Sequence, residues 1–228
     1  MLFNLISITI STLFFLINSK NVFAFFCAKP IVYTGFTIDG FIETLKLHQI
    51  NVVIDVRSSP YSERYPDYNK NAIEPKLKEN GIYYRNYVSE FGARQENVNF
   101  YSEEGCLDFE LFAQSEQFLS GVEKIKNSVA KGYNIVLLCA EKEPIQCHRT
   151  ILVARAFSDL GYKIIHLMPD NQTKTQKQIE QELLNKYFPN RGQMTLFSTS
   201  VMSDEECLVE AYKIQNKKIG YRLEGEEE

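Results

Sequence analysis

The chain has 228 residues, 44% hydrophobic and 24% charged, with 11 Gly and 7 Pro. That size and composition fit one globular domain with appendages and exclude collagen-like, low-complexity and mainly disordered chains. The formal net charge of −4 argues against coating nucleic acid by bulk electrostatics. The acidity is uneven, however. Residues 1–28 hold only Lys20, residues 29–197 hold 20 basic against 21 acidic residues, and residues 198–228 hold 4 against 8. The body is therefore neutral, and arginine clusters inside it have to be judged by position. Five cysteines, an odd number and too few for a disulfide scaffold, read as reduced thiols.

Leu2 to Ile17 is uncharged and apolar, and Val22-Phe23-Ala24 resembles a small-residue cleavage site, the outline of a secretory signal. Against this, no Lys or Arg precedes the run, Ser7, Thr9, Ser11 and Thr12 interrupt it, and it is short for a membrane span. Residues 1–28 read as an apolar extension or signal segment. A cytoplasmic protein without stable membrane association is expected, with export as the alternative if residues 1–24 are a signal peptide.

Residues 29–188 read as one α/β domain. Ile31 to Thr34 is a strand, and Ile38 to His48 a helix with Phe41, Ile42 and Leu45 on one face. The β-branched run Val52 to Val56 is too apolar to be half exposed and reads as a central parallel strand. A helix over Asn69 to Asn80 closes at Gly81, and Ile82-Tyr83-Tyr84 opens another strand. Helical periodicity runs through Leu107 to Ala130 and ends at Gly132. Ile135 to Leu138 is the second buried strand, Thr150 to Leu160 a helix stopped by Gly161, and Lys163 to Leu167 the last strand. This alternation predicts a three-layer α/β fold, Rossmann-like or rhodanese-like, with a mainly parallel sheet and helices on both faces. After a helix over Gln176 to Tyr187, residues 189–228 read as a tail, expected to be mobile from Ser198 onward, with one amphipathic stretch around Glu205 to Ile214 and then a polar end.

In open parallel sheets the ligand crevice lies at the carboxyl ends of the strands. The segments just past the two buried strands are Asp55 to Pro60 and Cys139 to Arg149, which share one rim if both strands are central. Cys139 would be a nucleophile or thiolate ligand, Cys147 a second thiol, and His148 an acid/base group, with the fork of Arg149 suited to phosphate or carboxylate. The alternative is two ordinary buried thiols and a helix-capping histidine. Cys139, Cys147 and His148 could also supply three metal ligands, but no fourth Cys or His stands at the usual spacing, so neither metal nor cofactor is expected. Asp55 and Arg57, two apart on a strand, point to one face; Asp55 either holds the loop, or orients Arg57 or serves as acid/base. Arg57 and Arg149 as anion binders, with Glu141, Lys142, Cys147 and Arg64, make up the candidate anion or substrate site, and Arg85 and Arg94 could extend its rim. Tyr61, Tyr65 and Tyr68 interleave with Arg64, a pattern that suits stacked bases and a packed loop equally.

Cys139 to Arg149, Cys-Ala-Glu-Lys-Glu-Pro-Ile-Gln-Cys-His-Arg, resembles the signature of the family called domain of unknown function 488. Val52 to Pro60 resembles that family's strand-and-Arg segment, and Tyr33-Thr34-Gly35-Phe36 through Phe41 its opening strand and helix. The resemblance spans roughly Ile31 to Pro169 and implies a fold and a site, not a reaction. A weaker similarity joins the Asp-x-Arg strand end and the later Cys-ended strand to the rhodanese and cysteine-phosphatase plan. Arg149 stands ten residues after Cys139, too far for the standard phosphate cradle of those families.

Beyond the domain, Gln193-Met194-Thr195-Leu196-Phe197 is similar to the Gln-x-x-Leu-Phe motif that binds the sliding clamp, with Gln193, Leu196 and Phe197 as partner-binding residues. The alternative is that Leu196 and Phe197 fold back onto the core. Three functions are therefore in play. One is an enzyme of the Cys/His/Arg site acting on nucleic acid or a nucleotide phosphate, tethered to the clamp in replication or repair. The others are a rhodanese-like sulfurtransferase or persulfide carrier, and a non-catalytic DNA-binding module.

Overall fold

The structure is a computed structural model that describes residues 27–141, 143–169, 172–191 and 202–223. Six strands form one sheet: β1 (Cys27–Val32), β2 (Val52–Asp55), β3 (Tyr83–Asn86), β4 (Ile135–Cys139), β5 (Lys163–Leu167) and β6 (Thr173–Thr175), in the order β3-β2-β4-β1-β5-β6. All neighbours are parallel except the edge strand β6, which runs antiparallel to β5. The two runs read as buried strands are the sheet's interior, with every residue of β2 and β4 buried.

Helices cover both faces, giving the expected three layers. On one face, α1 (Ile38–Leu47) and α2 (Lys70–Glu79) bury Phe41, Leu45, Ile73 and Leu77 against Ile31, Val53, Val136 and Leu138. Alternate residues of the same strands, Val52, Ile54, Ile135 and Leu137, face the other side. There they meet Phe91 from α3 (Val88–Phe91), Phe112 from α4 (Phe109–Ala113) and Phe118 from α5 (Glu116–Ala130). Among the described residues, no helix is long and apolar enough to cross a membrane.

Two expected helices are divided. The periodicity over Leu107 to Ala130 hides a break, because Ser115 turns extended and accepts the Phe118 N–H at 3.1 Å, capping α5 as a new helix. The stretch after His148 opens as a wholly buried π-helix over Arg149–Ala154 and relaxes into α6 (Arg155–Asp159). π-Turns of this kind are frequent at functional sites.

The expected mobile tail holds a long helix, α8 (Asp204–Ile219), started by a capping box between Ser203 and Glu206. It packs on α7 (Gln176–Tyr187) and buries Cys207, Ala211 and Tyr212. Asn216 bridges to the body by accepting the Phe109 N–H and donating to the Leu107 carbonyl, each at 2.8 Å. Beyond it the Leu107 N–H donates to Tyr221 O at 2.9 Å. The small apolar face of α8 is completed by these polar stitches, which its own periodicity does not announce.

Candidate functional site

β2 and β4 are neighbours in register, with Asp55 opposite Leu138, so the segments after them do share one rim. Four side chains converge there. The Sγ atoms of Cys139 and Cys147 stand 3.2 Å apart, and one oxygen of Glu141 lies 2.6 Å from the first and 3.1 Å from the second. His148 Nδ1 faces Cys139 Sγ at 3.8 Å, and its Nε2 meets the Val56 carbonyl at 3.0 Å. A carbonyl only accepts, so Nε2 carries the proton and the lone pair of the neutral ring points at the thiols. The four ligating atoms all lie within 4.8 Å of one another. The fourth donor that Cys/His spacing lacks is thus a carboxylate, Glu141, two residues past Cys139.

The electrostatics separate the two thiols. Burial alone would push Cys139 up, but the hydrogen bond from Cys147 and the positive charges of His148 and Arg149 outweigh it and hold this thiol well below its ordinary range. Burial and the Cys139 contact push Cys147 well above it. Burial and the charge on Cys139 raise Glu141; for His148 the opposing effect of burial is overcome by the charge and hydrogen bond of Cys139. The arrangement thus favours the charged form of Cys139 and the protonated form of His148, while Cys147 holds its proton more tightly.

Arg149 sits elsewhere than its sequence position suggests. It is 0% exposed and lies behind the thiols: Nη1 donates to Cys147 Sγ at 3.3 Å and to the Glu141 backbone carbonyl at 3.4 Å, while Nε and Nη2 have no partner among the described residues. Its charge therefore acts on the sulfur and does not line the cleft. Arg57 takes the forward place. Its Nε and Nη2 fork onto Asp55 at 2.9 and 2.5 Å, it stacks on Tyr33 at 5.2 Å, and its buried Nη1 has no partner among the described residues. Asp55 also accepts the Arg57 N–H at 3.0 Å and the Tyr84 hydroxyl at 2.6 Å. With its oxygens so engaged, Asp55 is placed to orient Arg57 and has little capacity left for acid/base work.

A cleft of about 290 Å³ opens above the cluster, walled by Arg57, Ser58, Arg94, Glu141, Ile219 and Tyr221 and floored by Cys139 and His148. Arg94 stacks on Tyr221 at 4.7 Å, and its N–H donates to Ser58 Oγ at 3.0 Å. Arg64 lies outside this wall, stacked on Tyr65 at 5.5 Å, and Arg85 stacks on Tyr83. The tyrosine loop is packed: Tyr68 stacks on Tyr33 at 4.4 Å and Tyr65 meets the same ring edge-on, leaving Tyr61 exposed. Lys142, Gln193, Leu196, Phe197 and residues 1–26 lie outside the described residues. The residue that sequence reading missed is Tyr221, because it follows a segment taken for a tail.

The sequence profile of the family described as Domain of unknown function DUF488 matches residues 37–156, just over half of the chain. The chain belongs to the DUF488 family. That match contains Asp55, Arg57, Cys139, Glu141, Cys147, His148 and Arg149, so the cluster belongs to the DUF488 body, whereas Ile219 and Tyr221 do not. No curated protein and no solved structure matches the chain.

Proposed function

We propose that the protein is an enzyme whose cleft binds a phosphate-bearing ligand, a nucleotide or a nucleic-acid strand, with the Cys139–Glu141–Cys147–His148 cluster as its reacting centre. The observation that carries this reading is Arg57, a cleft-lining residue whose buried Nη1 has no hydrogen-bond acceptor among the described residues and whose other edge is fixed by Asp55. An anion in the cleft would satisfy it with a charge-assisted hydrogen bond. Arg94 and Ser58 extend the polar wall, and the Tyr221 ring beneath Arg94 offers a flat apolar surface of the kind a base stacks on. The neutral body supports local recognition of a few phosphates over sequence-independent coating. The clamp-like residues Gln193, Leu196 and Phe197 add a route to nucleic acid that rests on sequence alone.

Titration of the full chain with a 5′-phosphorylated oligonucleotide and its unphosphorylated twin tests the reading. The phosphorylated strand is expected to bind more tightly, and Arg94→Ala to weaken it by roughly ten-fold, the worth of one charge-assisted hydrogen bond. Equal affinity for both strands, unaffected by the substitution, would sink it.

A further inference from the structure

The reacting cluster has the composition and geometry of a metal site. Four donors from one short stretch converge, two sulfurs, one imidazole nitrogen and one carboxylate oxygen. A tetrahedral zinc ion with ordinary Zn–S, Zn–N and Zn–O bonds separates its ligand atoms by about 3.3–3.8 Å. The Cys139–Cys147 and Cys139–His148 separations of 3.2 and 3.8 Å lie close to that range. The sulfur–oxygen distances of 2.6 and 3.1 Å would open, and the widest pair, at most 4.8 Å, would close, each by about 1 Å or less.

The surroundings have the form that supports ligands. His148 donates its distal N–H to the Val56 carbonyl, which fixes the ring with Nδ1 toward the sulfurs, the usual outer partner of a metal-bound histidine. Charge balance points the same way. Arg149 is wholly buried, has no carboxylate within hydrogen-bonding reach among the described residues, and donates to Cys147 Sγ. Two thiolates and a carboxylate carry three negative charges, a divalent ion cancels two, and Arg149 cancels the third. Thiolate and imidazole donors select a soft or borderline ion such as zinc over magnesium or calcium.

We infer that Cys139, Cys147, His148 and Glu141 bind one zinc-like divalent cation at the floor of the cleft. Cys139, Cys147 and His148 are buried and hold it, whereas Glu141 stands exposed at the cleft wall and is the exchangeable ligand, so the coordination position facing the cleft is the one an incoming anion can take. Cys139 is then a thiolate ligand. The inference deepens the proposed function, resting on it for the role of the ion, but occupancy is read without any phosphate ligand.

The test is metal analysis of the purified full chain after removal of loosely bound ions, followed by titration of the stripped protein with Co²⁺. Roughly one zinc per chain is expected, and cobalt should give the visible bands of four-coordinate geometry together with sulfur-to-metal charge transfer. Cys147→Ser should weaken binding by about ten-fold or more and lose part of the charge-transfer band, while Glu141→Gln keeps that band and shifts the visible ones. Far-UV circular dichroism identifies any variant that fails to fold, and the wild-type titration decides the matter without variants. Substoichiometric metal together with a cobalt spectrum lacking sulfur charge transfer would overturn the inference. Metal binding with no preference for phosphorylated strands would remove the proposed function and leave the site standing.

Discussion

His148 links the two loops of the rim through Val56: its Nε2 meets the Val56 carbonyl at 3.0 Å while Nδ1 turns to Cys139 at 3.8 Å. One side chain thus fixes the loop after β2 to the loop after β4 and presents a nitrogen to the sulfur. In metal-stripped protein, iodoacetamide should label Cys139 at lower pH than an ordinary thiol, because the Cys147 hydrogen bond and the His148 and Arg149 charges override its burial. His148→Gln should move that inflection upward. Peptide mapping of the labelled protein reads both, and an unchanged inflection would show that His148 does not set the thiol's acidity.

Asp55→Asn leaves Arg57 buried without the carboxylate that pairs with it. A loss of about 3–5 kcal/mol is expected in denaturant unfolding, as for other buried pairs broken on one side. A loss under about 1 kcal/mol would mean that water already reaches the guanidinium.

Acid should destabilise the protein through His166. Burial first, and then the charge of Arg149, depress its pKa from 6.5 to about 3. The unfolded chain takes up a proton below pH 6.5 that the folded chain refuses, so stability is full above that value and falls by roughly 1.4 kcal/mol per pH unit down to the folded pKa. His166→Gln should flatten the slope of unfolding free energy against pH between 6 and about 4.

Gly121 allows α5 to touch α3. A Cβ there would come within 2.6 Å of Glu90 Cβ and 2.7 Å of Phe91 Cζ. Gly121→Ala should therefore cost about 1–3 kcal/mol despite its better helix propensity. Calorimetry that shows a stabilised variant would contradict this packing.

Leu196→Ala combined with Phe197→Ala should abolish capture of a sliding clamp by the full chain if residues 193–197 are the tether. Capture that survives the double substitution would assign the clamp contact elsewhere.

The sheet was legible because central parallel strands must be apolar on both faces, which is why Val52 to Val56 and Ile135 to Leu138 stand out. The rim followed from topology, and so did the pairing of Asp55 with Arg57. What stayed hidden depends on depth. Arg149 follows His148 directly, and nothing in that adjacency says that one forms the cleft floor while the other is sealed behind Cys147; the π-turn that separates them has no sequence period of its own. The break at Ser115 was visible as a cap residue but was masked by apolar spacing that continues across it. Docking of α8 depends on Asn216, a polar residue whose partners lie 107 and 109 positions away.

The cleft is built by two parts of the chain with different ties to the family. Its floor lies within residues 37–156, whereas Ile219 and Tyr221 come from a helix end well outside that span. Exchanging the final helix would therefore rebuild the Ile219 and Tyr221 side of the cleft while leaving its floor and its Arg57, Ser58 and Arg94 side where they are.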